Sequence, residues 1–128
     1  MTNVAILGFG VVGSGTAEVL TENQKHIAAY CKEEIAVKYI LDLREFPGDP
    51  YEDRVVHDFN IILNDPEVTI VAEMMGGSHP AYDFSKAALL AGKSVVTSNK
   101  EVVANFGSEL LSIAKEKGVA YLFEASVG

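Results

Sequence analysis

The sequence predicts an α/β fold, a doubly wound parallel sheet in three α/β/α layers, and three observations predict it. Short apolar runs suited to buried strands alternate along the chain with longer segments of helical period. A dense glycine turn, GFGVVGSG at residues 8–15, stands directly behind the first of those runs. The composition, 48% hydrophobic and 22% charged with eleven glycines and four prolines, is that of a globular domain and not of a disordered chain. Strands that alternate with helices pair in parallel through right-handed crossovers, which puts helices on both faces of the sheet.

Each element has its own reason. Residues 3–7 are too short and too β-branched for a buried helix, so they read as a fully buried strand. From Val11 the period changes: Val12, Thr16, Val19, Leu20, Ile27, Tyr30 and Cys31 fall on one helical face, while Glu22, Gln24, Lys25 and Lys32 fall elsewhere. Ile35–Leu41 is a second strand, ending at Asp42. LREFPGDPYED then holds two prolines, a glycine and five charges, so it is an exposed connection, with Val55 and Val56 as a brief edge strand. Phe59–Leu63 makes a short helix stopped by Asn64-Asp65-Pro66, and VTIVAEMM from Val68 is another apolar strand. Gly76 and Gly77 open a turn. Pro80 suits the first turn of a helix whose Ala81, Phe84, Ala88 and Ala91 form one stripe, and Gly92 suits its C-terminal cap. Ser94–Thr97 is the next strand. A helix or helix pair occupies residues 101–117, broken near Gly107 and capped by Gly118, and VAYLFEA is a last strand.

The totals exclude several functions. A chain of 128 residues is one domain that buries roughly two thirds of its unfolded surface. Its formal charge of -8 repels phosphate backbones at long range, and no local basic patch offsets it, so nucleic acid and anionic membranes are not expected partners. The single cysteine, Cys31, allows no internal disulfide and no thiolate cluster, and reads as inert core. His26, His57 and His79 share no metal-ligand spacing, so no metal site is expected. MTNVAIL lacks a basic leader and no apolar run approaches the ~20 residues that span a bilayer, so a cytoplasmic location is expected. YLFEASVG stops in an apolar stretch that reads as a strand entering a new loop, so residues 1–128 are expected to be cut from a longer protein.

The glycine turn carries the chemistry. In a doubly wound sheet the first strand-to-helix turn sits where strand order reverses, and ligands bind there at the carboxyl ends of the strands. Gly8, Gly10 and Gly13 have the spacing of the Rossmann dinucleotide fingerprint. Gly8 allows the tight turn, Gly10 lets the main chain approach a pyrophosphate, and Gly13 lets the helix lie close on the strand. Free backbone N–H groups and the positive end of the helix dipole then face the anion. The plainer reading is a glycine turn that only packs tightly, and Gly15 is a candidate for that role. The acidic residue expected at the end of the second strand is Asp42, which would accept from the ribose of NAD, whereas Arg44 would pair with the 2′-phosphate of NADP. The two point in opposite directions, and either suits an ordinary surface charge. Glu73 interrupts an apolar strand, either bonding backbone N–H groups in the crevice or reaching water, with the structural role favoured.

Three further stretches narrow the reading: VAEMMGG at residues 71–77, AGKSVVTSNKEVVA at residues 91–104 and FEASVG at residues 123–128. With GFGVVGSG, their order and spacing resemble the N-terminal nucleotide-binding domain of homoserine dehydrogenase over nearly the whole chain. The resemblance implies an oxidoreductase that interconverts aspartate semialdehyde and homoserine with NAD(P)H, in threonine, methionine and isoleucine biosynthesis. It implies that Gly8, Phe9, Gly10, Val11, Val12 and Gly13 wrap the pyrophosphate and adenosine half of the cofactor, and that Gly76 lies by the nicotinamide ribose. Ser98 and Lys100 match family residues at the nicotinamide and substrate end, where the lysine assists substrate binding or proton transfer, and Arg44 stands where NADP-preferring members keep a basic residue. A C-terminal substrate domain, with the main acid/base lysine and the dimer interface, would lie beyond Gly128, so the full-length protein is expected to be a homo-oligomer and the isolated fragment inactive. Physics supports Lys100 separately, because a cation at a helix start opposes the macrodipole unless an anion compensates. The alternative from another class is a non-catalytic domain of the same fold that senses NAD(H) or another nucleotide, against which TSNK and FEASVG argue.

Overall fold

The computed structural model describes residues 2–7, 35–42, 52–73, 75, 77–97 and 99–123. Six strands form one sheet: β1 (Thr2–Leu7), β2 (Ile35–Leu41), β3 (Val55–Val56), β4 (Val68–Glu73), β5 (Ser94–Thr97) and β6 (Tyr121–Phe123). Their spatial order is β3-β2-β1-β4-β5-β6 and every pairing is parallel. The chain therefore winds outward from β1 on one side and from β4 on the other, which is the doubly wound order of a Rossmann sheet. Central parallel strands are covered on both faces, so they need continuous apolar sequence. Val4, Ala5, Ile6 and Leu7 of β1 are accordingly all fully buried.

The described helices are α1 (Phe59–Leu63), α2 (Ala81–Leu90) and α3 (Lys100–Lys117). Asp58 caps α1 by accepting from the Asn60 N–H at 2.9 Å, as a short side-chain acceptor at an N-cap does. α2 buries Ala81, Ser85, Ala88 and Leu89, and α3 buries Val102, Gly107, Leu110 and Ala114. The two pack against each other and against β4, β5 and β6. Tyr82 stacks on Phe106 at 4.1 Å between ring centroids and Phe59 on Phe84 at 4.5 Å, which ties α1, α2 and α3 along one face. Gly92 and Gly118 end α2 and α3 in the left-handed conformation, at φ 84° and 71°. The next N–H in each case, from Lys93 and Val119, reaches back 3.0 Å to Ala88 O and Ala114 O and satisfies carbonyls that the helix leaves open.

Several expectations are corrected in detail. The break near Gly107 does not occur: α3 runs unbroken from Lys100 to Lys117. Gly107 is buried in its packed face, and packing outweighs the ~1 kcal/mol propensity deficit of glycine. Ala91 is exposed as the C-cap residue and Ser85 is buried instead, so the stripe of α2 is displaced at its end. The described β4 covers Val68–Glu73 and Met75 lies outside it, and β6 begins at Tyr121, so Val119 and Ala120 precede the strand. The helix expected from Val11 lies outside the described residues.

The amino ends of the strands are pinned by charge. β1 pairs Val4 with Val37 and then Ala5 with Tyr39, so Lys38 is an extra residue in a bulge. Both neighbours thereby reach Asp65: Lys38 Nζ lies 2.7 Å from its carboxylate and Tyr39 donates to it at 2.8 Å. These bonds hold the Asp65 carboxyl down at about 2. The buried Lys93 ammonium donates to Asp65 O at 2.8 Å and Val68 O at 2.6 Å, closing the turn from α1 into β4.

Two glycine substitutions are expected to move stability in opposite directions. A Cβ at Gly107 would sit 3.4 Å from Val103 Cγ1, an ordinary contact, in a helical conformation. Gly107→Ala should therefore raise Tm, by about 2–6 °C for roughly 1 kcal/mol of helix propensity. Gly92→Ala has open space but a φ of 84°, so it should lower Tm by a similar amount. Thermal denaturation followed by circular dichroism measures both, and shifts of the same sign would contradict this account.

Candidate functional site

The reversal of strand order falls between β1 and β4, whose carboxyl ends pair as Leu7 with Glu73. β5 ends level with them, since Glu73 pairs with Thr97. GFGVVGSG follows Leu7 in the sequence, MMGG follows Glu73 and SNK follows Thr97, so all three segments start from the one sheet edge where a doubly wound fold binds its ligand. Asp42 follows β2 directly, beside β1, where a ribose acceptor was expected; its carbonyl receives the His57 ring nitrogen at 2.6 Å.

A buried polar network occupies the crevice floor. Glu73 is fully buried, and one carboxylate oxygen accepts the Thr97 hydroxyl at 2.8 Å while the other accepts the Met75 N–H at 2.7 Å. The Asn99 amide approaches that second oxygen at 3.4 Å. Asn99 also donates to Met75 O at 2.9 Å and Gly77 O at 2.7 Å, and its own backbone N–H donates to Thr97 Oγ1 at 3.0 Å. Its side-chain oxygen accepts the Val102 N–H at 3.1 Å, which makes Asn99 the N-cap of α3. Glu73 thus takes the structural role favoured for it, bonding main chain in the crevice. Burial pushes its carboxyl above the ordinary range, and the bonds from Thr97, Met75 and Asn99 oppose that shift. The phenol of Tyr121 is pushed up to about 12, chiefly by its own burial and also by the charge of Glu73.

Of the residues singled out for cofactor and substrate, the structure describes Asp42, at the end of β2, and Lys100. Lys100 is the one for which the resemblance implies the nicotinamide and substrate end. It is exposed at the first position of α3, and it has no hydrogen-bond or ion-pair partner among the described residues. Glu101, also in the first turn, supplies the acidic charge that a helix start favours. Gly77 is exposed at φ 78°, and a Cβ there would come 3.8 Å from Glu101 Oε2, so the VAEMMGG turn faces the first turn of α3. Gly8, Phe9, Gly10, Val11, Val12, Gly13, Arg44, Gly76 and Ser98 lie outside the described residues. Thr97 and Asn99 were missed by the sequence reading. An Asn directly before a helical run is an N-cap signal, and it was readable at Asn99.

His79 bonds Asp83 at 2.8 Å and packs edge-on against Tyr82 and Phe106, so it belongs to the α2–α3 face and not to the crevice. Among the described residues no cluster of His, Cys, Asp and Glu could hold a metal ion, and no helix is long and apolar enough to cross a membrane.

A dinucleotide would bind at the strand reversal, as in other doubly wound sheets. Its pyrophosphate would meet the turn that begins at Leu7. The crevice two strands away offers an exposed cation at Lys100, while the buried Glu73 has its oxygens committed to internal donors. A parallel sheet wound both ways from a reversal between β1 and β4, with the dinucleotide glycine spacing directly after β1 in the sequence, defines a Rossmann dinucleotide-binding domain. Residues 8–124 match the family described as homoserine dehydrogenase, NAD binding domain, and the chain belongs to that family, whose cofactor is NAD(P). A homoserine dehydrogenase of Lactococcus lactis is 36% identical over 130 residues, covering 98% of this chain and 30% of its own length. The crystal structure of the Staphylococcus aureus homoserine dehydrogenase at pH 7.5 superposes with a TM-score of 0.77 at 38% identity, over 98% of this chain and 33% of that one. The Thiobacillus denitrificans homoserine dehydrogenase gives a TM-score of 0.78 at 35% identity, over 98% and 30% respectively. The chain thus spans about 30% of the length of the curated relative it matches.

The raised Glu73 pKa fixes the sign of a pH effect. A carboxyl whose folded pKa lies above its ordinary 4.5 adds stability below that value and loses it as pH rises through the raised one. Glu73→Gln removes this titration. In urea denaturation from pH 4 to 8, the stability of Glu73→Gln relative to the unsubstituted chain should therefore improve as pH rises above 4.5. A difference that is flat or runs the other way would show that the carboxyl is not destabilised in the fold.

Proposed function

We propose that residues 1–128 form the cofactor-binding domain of an NAD(P)-dependent homoserine dehydrogenase, whose remaining length carries the substrate domain. The whole protein would then interconvert aspartate semialdehyde and homoserine, act as a cytoplasmic homo-oligomer and serve threonine and methionine biosynthesis. The observation that carries this reading is the reversal of strand order between β1 and β4, with Lys100 exposed at the start of α3 just beyond the end of β5, in a chain whose family match spans residues 8–124. It favours the enzyme over the nucleotide sensor, because a sensor has no use for a cation at the substrate end. When bound, NAD(P)H supplies the hydride that reduces the semialdehyde carbonyl.

The residues of this chain divide the remaining work. Main-chain N–H groups of residues 8–13, including Phe9, Val11 and Val12, would bind the pyrophosphate. Arg44 would bind a 2′-phosphate, and Gly76 and Ser98 would border the nicotinamide end. Lys100 would offer its ammonium to the substrate, orienting it or delivering a proton from Nζ to the developing alkoxide.

Calorimetric titration tests the cofactor half of this reading. Both NAD and NADP should bind the chain, and Arg44→Ala should weaken NADP about 10- to 100-fold while leaving NAD unchanged. Equal losses for both would remove Arg44 from the 2′-phosphate. For the catalytic half, Lys100→Ala in the full-length protein should lower turnover about 100-fold with dinucleotide affinity retained. The isolated chain should bind dinucleotide without measurable turnover. Full turnover by the isolated chain, or by Lys100→Ala, would refute the assignment.

A further inference from the structure

Lys100 has no partner of its own among the described residues, yet its backbone is among the most constrained in the crevice. The residue before it, Asn99, is buried and uses both ends of its amide. The oxygen holds the Val102 N–H at 3.1 Å and so fixes the first turn of α3. The nitrogen donates to Met75 O at 2.9 Å and Gly77 O at 2.7 Å, which fixes the turn after β4. Thr97 Oγ1 accepts the Asn99 backbone N–H at 3.0 Å and donates to Glu73 at 2.8 Å, and Glu73 in turn receives the Met75 N–H at 2.7 Å. The bonds close a ring from β4 through its turn to α3 and back through β5.

We propose that Asn99 is a positioning residue, which locks the turn after β4 to the first turn of α3 so that Lys100 and the Gly77 turn meet nicotinamide and substrate as one rigid unit. The inference rests on the function proposed above and deepens it. A long lysine side chain on a helix start that frays samples many positions, whereas one on a capped and tethered start samples few, and misplacement by about 1 Å costs on the order of 100-fold in rate. Two carbonyls held inward also orient their peptide planes, so the Ser78 N–H points away from Asn99 across the planar Gly77–Ser78 bond. One amide therefore sets the helix start that bears the cation and the main chain opposite it. Glu73, buried beneath, keeps the ring from opening, because any donor that leaves would strand a buried carboxylate oxygen.

The test uses the full-length protein and three variants. Asn99→Ser retains a capping oxygen for α3 but is too short to reach both carbonyls, so it cuts the tether and spares the cap. Asn99→Asp keeps the size and the cap while replacing the bonds to Met75 O and Gly77 O by repulsion and setting a second carboxylate against Glu73, so its Tm should fall further than that of Asn99→Ser. Asn99→Ser should fold with Tm lowered by a few degrees, and in each folded variant dinucleotide Kd should be little changed while kcat for aspartate semialdehyde reduction falls about 10- to 100-fold. Combined with Lys100→Ala, either should reduce kcat by clearly less than it does alone, because the part of its effect that runs through Lys100 has nothing left to act on. A folded Asn99→Ser or Asn99→Asp with the kcat of the unsubstituted protein overturns the inference, and so do losses that multiply with Lys100→Ala. An unsubstituted protein that binds dinucleotide but does not reduce aspartate semialdehyde overturns the proposed function and this inference together. Turnover by that protein with an unimpaired Asn99 variant overturns the inference alone.

Discussion

A carboxylate in the middle of a sheet must be hydrated or fully bonded, and Glu73 is fully buried, so the surrounding chain is organised to bond it. Its donors come from the adjacent strand, from the turn that follows its own strand and from the residue that opens α3. That demand explains why β4 stops at Glu73, why the chain bends back to present the Met75 N–H, and why β5 ends in a hydroxyl. An apolar residue in its place would fill the space but would leave the turn after β4 without its anchor. The same network uses up the polar groups it contains, which leaves the exposed Lys100 as the described cation at that end of the crevice.

The two ends of the sheet serve different purposes. At the amino ends, Lys38, Tyr39 and Lys93 converge on Asp65 and the start of β4, a closed arrangement whose members satisfy one another. It holds α1 and β4 in place and offers a ligand little. At the carboxyl ends the strands are level, and strand order reverses between β1 and β4. Chemistry gathers there because backbone N–H groups, helix starts and turns all become available at one edge without disturbing the core.

The α2–α3 pair connects these ends to the site. Both helices are stopped by left-handed glycines and joined by stacked rings, so α3 is a stiff lever with Lys100 at its tip. The family match gives the lever its context: relatives with the same domain are homoserine dehydrogenases about three times its length, as the 30% coverage of the Lactococcus lactis protein shows.

Much of this was legible in the residues. Ile35–Leu41, Val55–Val56 and Ser94–Thr97 fall where apolar runs place them, because strands of a covered parallel sheet are mostly apolar, and Phe59–Leu63 falls between the turn residues that bound it. Gly92 and Gly118 end helices for the reason glycine does so in any chain. Lys100 was visible through TSNK, a local pattern. The continuity of α3 through Gly107 was not, because helix propensity is a local quantity and the packing against α2 that overrides it is not. The structural role of Glu73 was legible, but its bonds from Thr97 and Asn99 and the reach of Asn99 to Met75 and Gly77 were hidden, since those partners lie far off in sequence and meet through the register of β4 with β5. Sequence alone determined which of the described segments are strands and helices, to within a few residues, for these follow from periodicity and from turn residues. Tertiary structure decided which polar groups are spent inside the crevice and which remain free to act, because satisfying a buried hydrogen bond depends on neighbours that only the folded chain supplies.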